Sequence, residues 1–375
     1  MARAVVVGGG YAGLACLIEL AKQAPQLELL LIDDRAEHCK ITNLHKTFAQ
    51  PVADFQVPFA ELAERFGFAF HRHRLNFTAA DLKSWQQTKK LPLADRELAF
   101  DWLVVCTGSH PLLQSHSTDV YDISALQDGR GPQLLERWCS EAKTRRIELS
   151  FVGAGATGLQ VLFELQEQLR SKRVDFGLRL IDLADRLATE LPQGVHRYVR
   201  RKLDNEGIDY LAETEFLGQE DGQVILAEQN SRREYRLPSR ATLLFAGVQR
   251  SPFALQSNLF GQVEVGGQLL PEIFSAGDCA DYSGNGLNQL TAQAALRKGK
   301  LVAHNIRSQN AGRALRRYRY REKGYLLSLG PADAVGWVGL RGNLVKGFAA
   351  NVLKEATESQ YNLYLNGVDT YLDFF

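Results

Sequence analysis

The stretch Ala4-Val5-Val6-Val7-Gly8-Gly9-Gly10-Tyr11-Ala12-Gly13, running on to Leu29-Leu30-Leu31-Ile32-Asp33, decides the fold. An apolar, β-branched run stops at a glycine cluster. A helical pattern follows, with Leu14, Cys16, Leu17 and Leu20 facing one way, and a second apolar run ends in an acid. Strand, tight turn, helix, strand and terminal acid, in that order, are what cradling a dinucleotide requires. Gly8 permits the sharp turn, Gly10 lets backbone approach a pyrophosphate, and Gly13 lets helix and strand pack closely; Tyr11 and Ala12 lie between them. The helix N-terminus adds unpaired N–H groups and a partial positive charge for phosphates. Asp33, or failing it Asp34, is placed to accept hydrogen bonds from a ribose.

The same unit occurs twice. Ile147-Glu148-Leu149-Ser150-Phe151-Val152 runs into Gly153, Gly155 and Gly158 in the same spacing, with Thr157 between them. A helical run over residues 159–169 follows, and Leu178-Arg179-Leu180-Ile181-Asp182 closes the unit as Leu31-Ile32-Asp33 closes the first. Two dinucleotides are therefore expected, one per unit, and two nucleotide cofactors imply an electron relay. A carboxylate at Asp182 hydrogen-bonds a ribose 2′-OH and repels a 2′-phosphate, so NADH is expected over NADPH. Arg179 and Arg186 lie close enough in sequence to soften that choice.

Composition narrows the function class. Charged residues make up 23 % of the 375, and the net charge is +1, so no bulk charge points to nucleic acid. The apolar start of the chain is interrupted by glycines, Tyr11 and Glu19, which the glycine motif explains better than a signal peptide does. No charge-free apolar run reaches the roughly eighteen residues of a membrane span, so no transmembrane helix is expected and the cytoplasm is the default location. The cysteines at 16, 39, 106, 139 and 279 form no CxxC or CxxxxC pair, which argues against a redox-active disulfide. His71 and His73 alternate on one strand face with no third ligand nearby, so a solvated face is expected and no metal.

Other segments fall around these units. Residues 38–46 read as a polar segment, either a surface loop or a cover for a cofactor. Residues 59–66 read as a short helix, 83–100 as a polar hairpin and 290–306 as a helix carrying Gln293 in its first turns. The strand Trp102-Leu103-Val104-Val105 ends at Cys106-Thr107-Gly108, a turn that lets backbone pass close to a cofactor and offers the Thr107 hydroxyl. The strand from Ala241 ends comparably at Ala246-Gly247, where the chain leaves the second unit. Pro271-Glu272-Ile273-Phe274-Ser275-Ala276-Gly277-Asp278 delivers an aspartate through a glycine, a geometry suited to bonding the hydroxyls of a ribityl chain.

Over residues 3–330 the chain resembles the two-dinucleotide-binding flavoproteins of glutathione-reductase type. The resemblance implies FAD on the first glycine motif, NAD(P)H on the second, and a flavin ribityl contact from Gly277-Asp278. In such a protein residues 38–46 would lie over the isoalloxazine or its ribityl chain. The implied fold is α/β: two Rossmann-like, three-layer ββα domains, the NAD domain inserted in the FAD domain, and a short C-terminal α+β region. The expected divisions are 1–115 and 251–320 for the FAD domain, 116–250 for the NAD(H) domain, and 321–375 for the C-terminal region.

A narrower resemblance is to the type II, single-subunit NADH:quinone oxidoreductases. It rests on Ala246-Gly247-Val248-Gln249-Arg250-Ser251-Pro252, Thr291-Ala292-Gln293-Ala294-Ala295 and Tyr318-Arg319-Tyr320-Arg321-Glu322-Lys323-Gly324. It implies that Gln293 borders the quinone site. The chain departs from that family in carrying Arg297 where a second glutamine is usual, Gln160 where a glutamate near the nicotinamide is usual, and a shorter tail. Lys346 offers a proton or a charge to a reduced quinone. The tail is apolar in patches (Phe348, Leu353, Leu363, Leu365, Leu372, Phe374, Phe375) but carries Glu355, Glu358, Asp369 and Asp373. With the basic run 313–323 it offers peripheral contact with the inner face of the cytoplasmic membrane, although a solvated loop is the favoured reading of that run. A homodimer is expected. The expected activity is hydride transfer from NADH to FAD and two electrons on to a quinone. The alternatives are a reductase of a protein electron carrier, docked through Arg200-Arg201-Lys202 and the 313–323 run, and a nucleotide-sensing flavoprotein without turnover.

Overall fold

The computed structural model describes residues 2–93, 96–113 and 117–371. The first glycine motif lies in a sheet of eight strands among the described residues, in which Arg3–Val7 pairs in parallel with Glu28–Asp33 on one side and Trp102–Val105 on the other. Ala69–Arg72 extends one flank and Gln268–Ser275 the other, both in parallel. The chain leaves Arg3–Val7 in one direction and comes back to its other side only at Trp102–Val105. That switch opens a crevice at the C-terminal ends of these strands.

Side chains of the central strands are buried on both faces and divide between them with period two. Ala4, Val6, Leu29, Leu31 and Val104 face the helix Tyr11–Gln23 and meet Leu14 and Leu17. Val5, Val7, Leu30, Ile32 and Val105 face the opposite layer and meet Leu82, Trp85, Leu91 and Leu98. Each such aliphatic side chain contributes about 1.5–3 kcal/mol when fully buried.

The second glycine motif repeats this plan. Five parallel strands run in the order Val120–Tyr121, Ala241–Leu244, Ile147–Val152, Phe176–Ile181 and Asp209–Leu211. Leu149, Phe151, Leu178 and Leu180 share a core with the helix Ala156–Ser171, while Val152, Ile181 and Leu244 face Val224 and Leu226 of a three-stranded antiparallel sheet. All these strands fall in the chain between Trp102–Val105 and Leu255–Ser257, so the second unit is inserted in the first. The boundary expected at 115/116 falls outside the described residues. A C-terminal α+β region follows: the antiparallel strands Gly324–Ser328, Ala334–Val338 and Leu344–Lys346, then the helix Phe348–Leu365.

Three local expectations change. The polar hairpin read over 83–100 is shorter, because residues Ala79–Thr88 form a helix and only Lys90–Pro92 and Glu97–Ala99 pair. The cause is a capping box: the Thr78 hydroxyl accepts from the Asp81 N–H while the Asp81 carboxylate accepts from the Thr78 N–H. His71 lies in the strand Ala69–Arg72 and His73 beyond it, with His71 Nε2 3.2 Å from Arg96 Nη2. No group of metal-binding side chains occurs among the described residues. The late helix runs Ala292–Asn310, its start set by Thr291, whose hydroxyl accepts from the Ala294 N–H. The helix Phe59–Phe66 is as expected.

The late helix lies on the helix Tyr11–Gln23 with no room between them. A Cβ on Gly299 would sit 2.2 Å from the Ala12 carbonyl oxygen and 2.9 Å from the Ala15 Cβ. The C-terminal helix closes over the same region: the Tyr364 hydroxyl donates to the Ala15 carbonyl at 3.3 Å and Arg65 donates to the Leu365 carbonyl at 2.8 Å. No helix among the described residues is long and apolar enough to cross a membrane. Leu372, Asp373, Phe374 and Phe375 lie outside the described residues. Gly299→Val, which overpacks this contact, is expected to lower the unfolding free energy by about 1–3 kcal/mol in a urea titration; an unchanged midpoint would contradict the close approach.

Candidate functional site

The two glycine loops share one backbone geometry at their three matched glycines. Gly8 and Gly153 both have φ +102°, and a Cβ on either would lie 2.3 or 2.2 Å from the carbonyl oxygen of Cys106 or Phe245 on the neighbouring strand end. A Cβ on Gly13 or Gly158 would lie 1.9 Å from the Gly8 or Gly153 carbonyl oxygen. A Cβ on Gly10 or Gly155 would meet nothing within 4 Å. Each of these two glycines is also the cap of its helix, with no side-chain bond to it and no acid in the first turn. Two helix N-termini therefore keep their N–H donors and positive ends free beside open space, which fits a pyrophosphate.

The closing acids are matched as well. Asp33 Oδ2 accepts from the Gly9 N–H at 2.6 Å and Oδ1 from the Arg35 N–H at 2.9 Å. Asp182 accepts from the N–H of Ala154, and from that of Ala184 at 2.7 Å. They differ in charge environment. The Arg35 guanidinium takes both Asp33 oxygens, at 3.1 and 3.2 Å, and so fills the remaining lone pairs. Burial works to raise the Asp33 carboxyl, but the Arg35 bond and charge and the Gly9 N–H outweigh it and hold it below the ordinary range. A ribose reaching Asp33 has to displace Arg35, whose side chain is 43 % exposed. Asp182 has no such cation among the described residues: Arg179 is turned away to the Pro238 carbonyl at 3.2 Å, and Arg186 lies 3.7 Å from Asp185. Neither arginine softens the charge as the sequence suggested. Asp34 is exposed and faces Arg74 at 3.6 Å, away from the loop.

Strand register gathers the remaining cofactor candidates. Val7 is level with Val105, and Val105 with Ser275. Gly8, Thr107-Gly108 and Gly277-Asp278 therefore emerge side by side at one edge. Thr107 Oγ1 donates to the Ser251 carbonyl at 2.5 Å, and Ser109 Oγ to Asp278 at 2.9 Å. Burial raises the Asp278 carboxyl, opposed by the Ser109 bond and by the charges of Lys298 and Arg250. Gly277, at φ +80°, brings this turn to the first helix, since its Cβ would lie 3.0 Å from that of Ala12. Gly247, at φ +91°, leads into Val248–Arg250, which pairs antiparallel with Ser109–Pro111 where the chain crosses between the units. Thr157 is exposed in the first turn of the second helix.

Residues 38–48 are not a surface loop. His38 is fully buried, and Asn43, His45 and Thr47 are nearly so. His38 Nδ1 lies 3.0 Å from the Gly9 carbonyl oxygen, so it carries the proton, and the Tyr361 hydroxyl donates to Nε2 at 2.9 Å. Tyr11 is buried against His38 and Tyr361, its hydroxyl 2.9 Å from Thr42 Oγ1. Lys46 pairs with Glu355 and Glu358 of the C-terminal helix at 2.7 and 2.8 Å. The segment is thus clamped between the first glycine loop and the C-terminal helix. Sequence reasoning passed over His38, Tyr361 and the buried Lys298; only the apolar helical face on which Lys298 falls could have flagged it.

The three residues expected to serve the reaction do not converge. Gln160 accepts from the Ser328 N–H at 3.4 Å and Gln293 from the Lys323 N–H at 3.2 Å. Those positions are five residues apart on an extended chain, about 17 Å. Lys346 is exposed on the edge strand, level with Val335. Arg297 donates to the Arg321 carbonyl at 2.5 Å, so it joins Gln293 in fastening this segment. Beside it opens a cleft of about 370 Å³ lined by Gln289, Tyr320, Arg321, Trp337, Leu340 and Arg341. All five cysteines are free thiols, and Cys139 alone is not buried.

Fold and site define a two-nucleotide α/β oxidoreductase. Residues 2–299 match the model of the pyridine nucleotide-disulphide oxidoreductases, and the chain belongs to that family. It is 23 % identical to a type II NADH:quinone oxidoreductase of Staphylococcus saprophyticus, covering 98 % of this chain and 96 % of that one. Solved structures share its fold, two of them over nearly the whole chain. One is the sulfide:quinone oxidoreductase of Aquifex aeolicus (TM-score 0.82, 16 % identity, 100 % of this chain and 94 % of that one). The other is NDH2 of Plasmodium falciparum in complex with NADH (TM-score 0.79, 12 % identity, 98 % and 96 %).

Because Gly155 faces open space and Gly158 does not, their substitutions separate binding from folding. Gly155→Val is expected to keep the wild-type melting temperature and lose reduction by NADH, whereas Gly158→Ala unfolds more readily; equal melting of both variants would contradict the geometry. Burial, with the Arg35 and Lys40 charges, presses His38 down to about 4 against the Gly9 bond, and burial also moves His45 well below its ordinary value. The unfolded chain therefore takes up protons first, so stability is full above about pH 6.5 and is lost as pH falls toward 4, by about 3 kcal/mol for His38. His38→Gln should flatten that slope in denaturant titrations across this range, and an unchanged slope would refute the assignment.

Proposed function

We propose that this chain is an FAD-dependent oxidoreductase that takes a hydride from NADH and passes two electrons to a quinone. The observation that carries the reading is the duplicated glycine loop, open above Gly10 and Gly155, with a cation-paired acid on one copy and, among the described residues, an acid with no cation on the other. A bound flavin supplies the chemistry, accepting a hydride from a nicotinamide and handing two electrons onward. The protein's part is to bind, orient and exclude water. The first loop, with Thr107, Gly277 and Asp278 beside it, suits FAD. The uncompensated carboxylate of Asp182 suits a ribose 2′-OH and disfavours a 2′-phosphate, which supports NADH over NADPH.

Quinone as acceptor is supported by the Staphylococcus relative and by the segment that Gln293 and Arg297 fasten beside the 370 Å³ cleft. We assign Gln293 to the acceptor side, with Gln160 at the opposite end of the same strand. Lys346, exposed, supplies charge at the edge. A membrane surface as the source of quinone is supported by exposed apolar side chains of the C-terminal region, among them Leu340 (61 %) and Phe348 (71 %). In the basic run Arg317 and Arg319 point outward while Tyr318 is buried, so it is a solvated extended segment.

In an anaerobic stopped-flow experiment NADH is expected to bleach a flavin band, and a soluble quinone analogue to restore it. Bleaching without return would replace quinone by a protein acceptor, and no flavin band even after FAD is added would sink the reading. Asp278→Ala should purify with little flavin. Asp182→Ala should keep its flavin and narrow the preference for NADH over NADPH; an unchanged preference would remove Asp182 from the nucleotide site.

A further inference from the structure

Lys298 is a buried ammonium without a matching acid. It is 1 % exposed on the late helix. Its Nζ donates to the Ala280 carbonyl at 2.9 Å, to Asn288 Oδ1 at 3.2 Å and to the Gly277 carbonyl at 3.4 Å, and it lies 4.6 Å from the centre of the Tyr282 ring. All three acceptors are neutral, and no carboxylate lies within ion-pair distance among the described residues. Asp281, the nearby acid that could serve, is taken by Arg250 at 2.8 Å, Gln256 at 2.8 Å and Asn288 at 2.7 Å. Burying a charge this way is expensive, and an uncharged side chain would fill the space more easily. Together with the Ala280 N–H, which donates to the Gly277 carbonyl at 3.3 Å, the charge holds two carbonyls of one turn, residues 277–280, facing into the protein.

That has a consequence across the peptide plane. In a trans peptide the C=O and the following N–H point in opposite directions. With the Gly277 carbonyl drawn toward Lys298, the Asp278 N–H points the other way, and it makes no hydrogen bond within the described residues. The turn therefore offers an acceptor, the Asp278 carboxylate, and a free donor, the Asp278 N–H, from a single residue. We propose that Lys298 is a positioning residue for the flavin end of the site, pinning the Gly277 and Ala280 carbonyls inward so that Asp278 presents its N–H and carboxylate together to the hydroxyls of a bound FAD. The assignment rests on the flavoprotein reading above.

The charged and titratable groups facing Lys298 are Arg250 from the crossing strand, Asp278 and Cys279 from the turn, and Asp281 and Tyr282 from the strand Ala280–Tyr282. Burial, then the Arg250 charge, brings the Lys298 ammonium down to about 8, with Cys279, Asp278 and Asp281 opposing. Above that pH a neutral amine holds the carbonyls more weakly.

The test is FAD affinity of the full chain, read from flavin fluorescence between pH 6 and 10, for wild type, Lys298→Met and Lys298→Gln. NAD+ affinity reports on whether each variant is folded. Wild type should lose FAD affinity as pH rises through about 8. Lys298→Met should bind FAD about tenfold or more weakly at pH 7, with no inflection near 8 and with NAD+ affinity intact. Lys298→Gln, which still donates a hydrogen bond, should fall between the two and also lack the inflection. If Lys298→Met does not fold, the glutamine variant decides. Wild-type FAD affinity in Lys298→Met, or the inflection persisting in either variant, would overturn the proposal alone. Absence of FAD binding to wild type would overturn the flavoprotein reading with it.

Discussion

A carboxylate bonded to the N–H that follows a left-handed glycine holds each half of this molecule in shape. Asp33 takes the Gly9 N–H and Asp182 the Ala154 N–H, each reaching back from the end of the second strand to the loop after the first. Charge-assisted bonds of this kind are among the stronger ones a backbone makes. With the loop fixed, Gly8 and Gly153 can cross the neighbouring strand end, and Gly13 and Gly158 can seat their helices against the loop carbonyls. The helix ends are left free as a result. Gly299 then lets the late helix lie on the first helix, which carries the Gly277-Asp278 turn to the first loop.

The two halves share this constraint but not their surroundings, and the difference suits a division of labour. The first loop is enclosed by His38 and Tyr11, by the C-terminal helix through Tyr361, and by the Gly277 turn. Its acid is paired with Arg35. The second loop has exposed residues at Gly155 and Thr157 and an acid with no cation on it among the described residues. An enclosed site suits a nucleotide that stays, and an open one suits a nucleotide that exchanges.

How much of this was legible in the sequence follows from the range of the interactions involved. The glycine spacings, the β-branched runs and the closing acids act within a few tens of residues, so the two units could be read directly, whereas the insertion of one in the other came only from the resemblance to the two-dinucleotide flavoproteins. The helix Ala79–Thr88 was misread because its signal is the Thr78–Asp81 box and not an apolar stripe. Residues 38–46 left two readings open because their burial depends on Tyr361 and Glu358, more than 300 positions later. The dispersal of Gln160, Gln293 and Lys346 depends on where one strand of the C-terminal region passes. Lys298 drew no reading because its partners, two backbone carbonyls and the Asn288 side chain, carry no sequence signature.

The central claim is that one chain holds two separate nucleotide sites. Its most direct test is a count of nucleotides per chain, by calorimetric titration of flavin-saturated protein with NAD+. The account predicts one tightly held FAD and one further equivalent of NAD+, with NAD+ displacing no FAD at saturation. Displacement of one by the other, or a total of one nucleotide per chain, would contradict it.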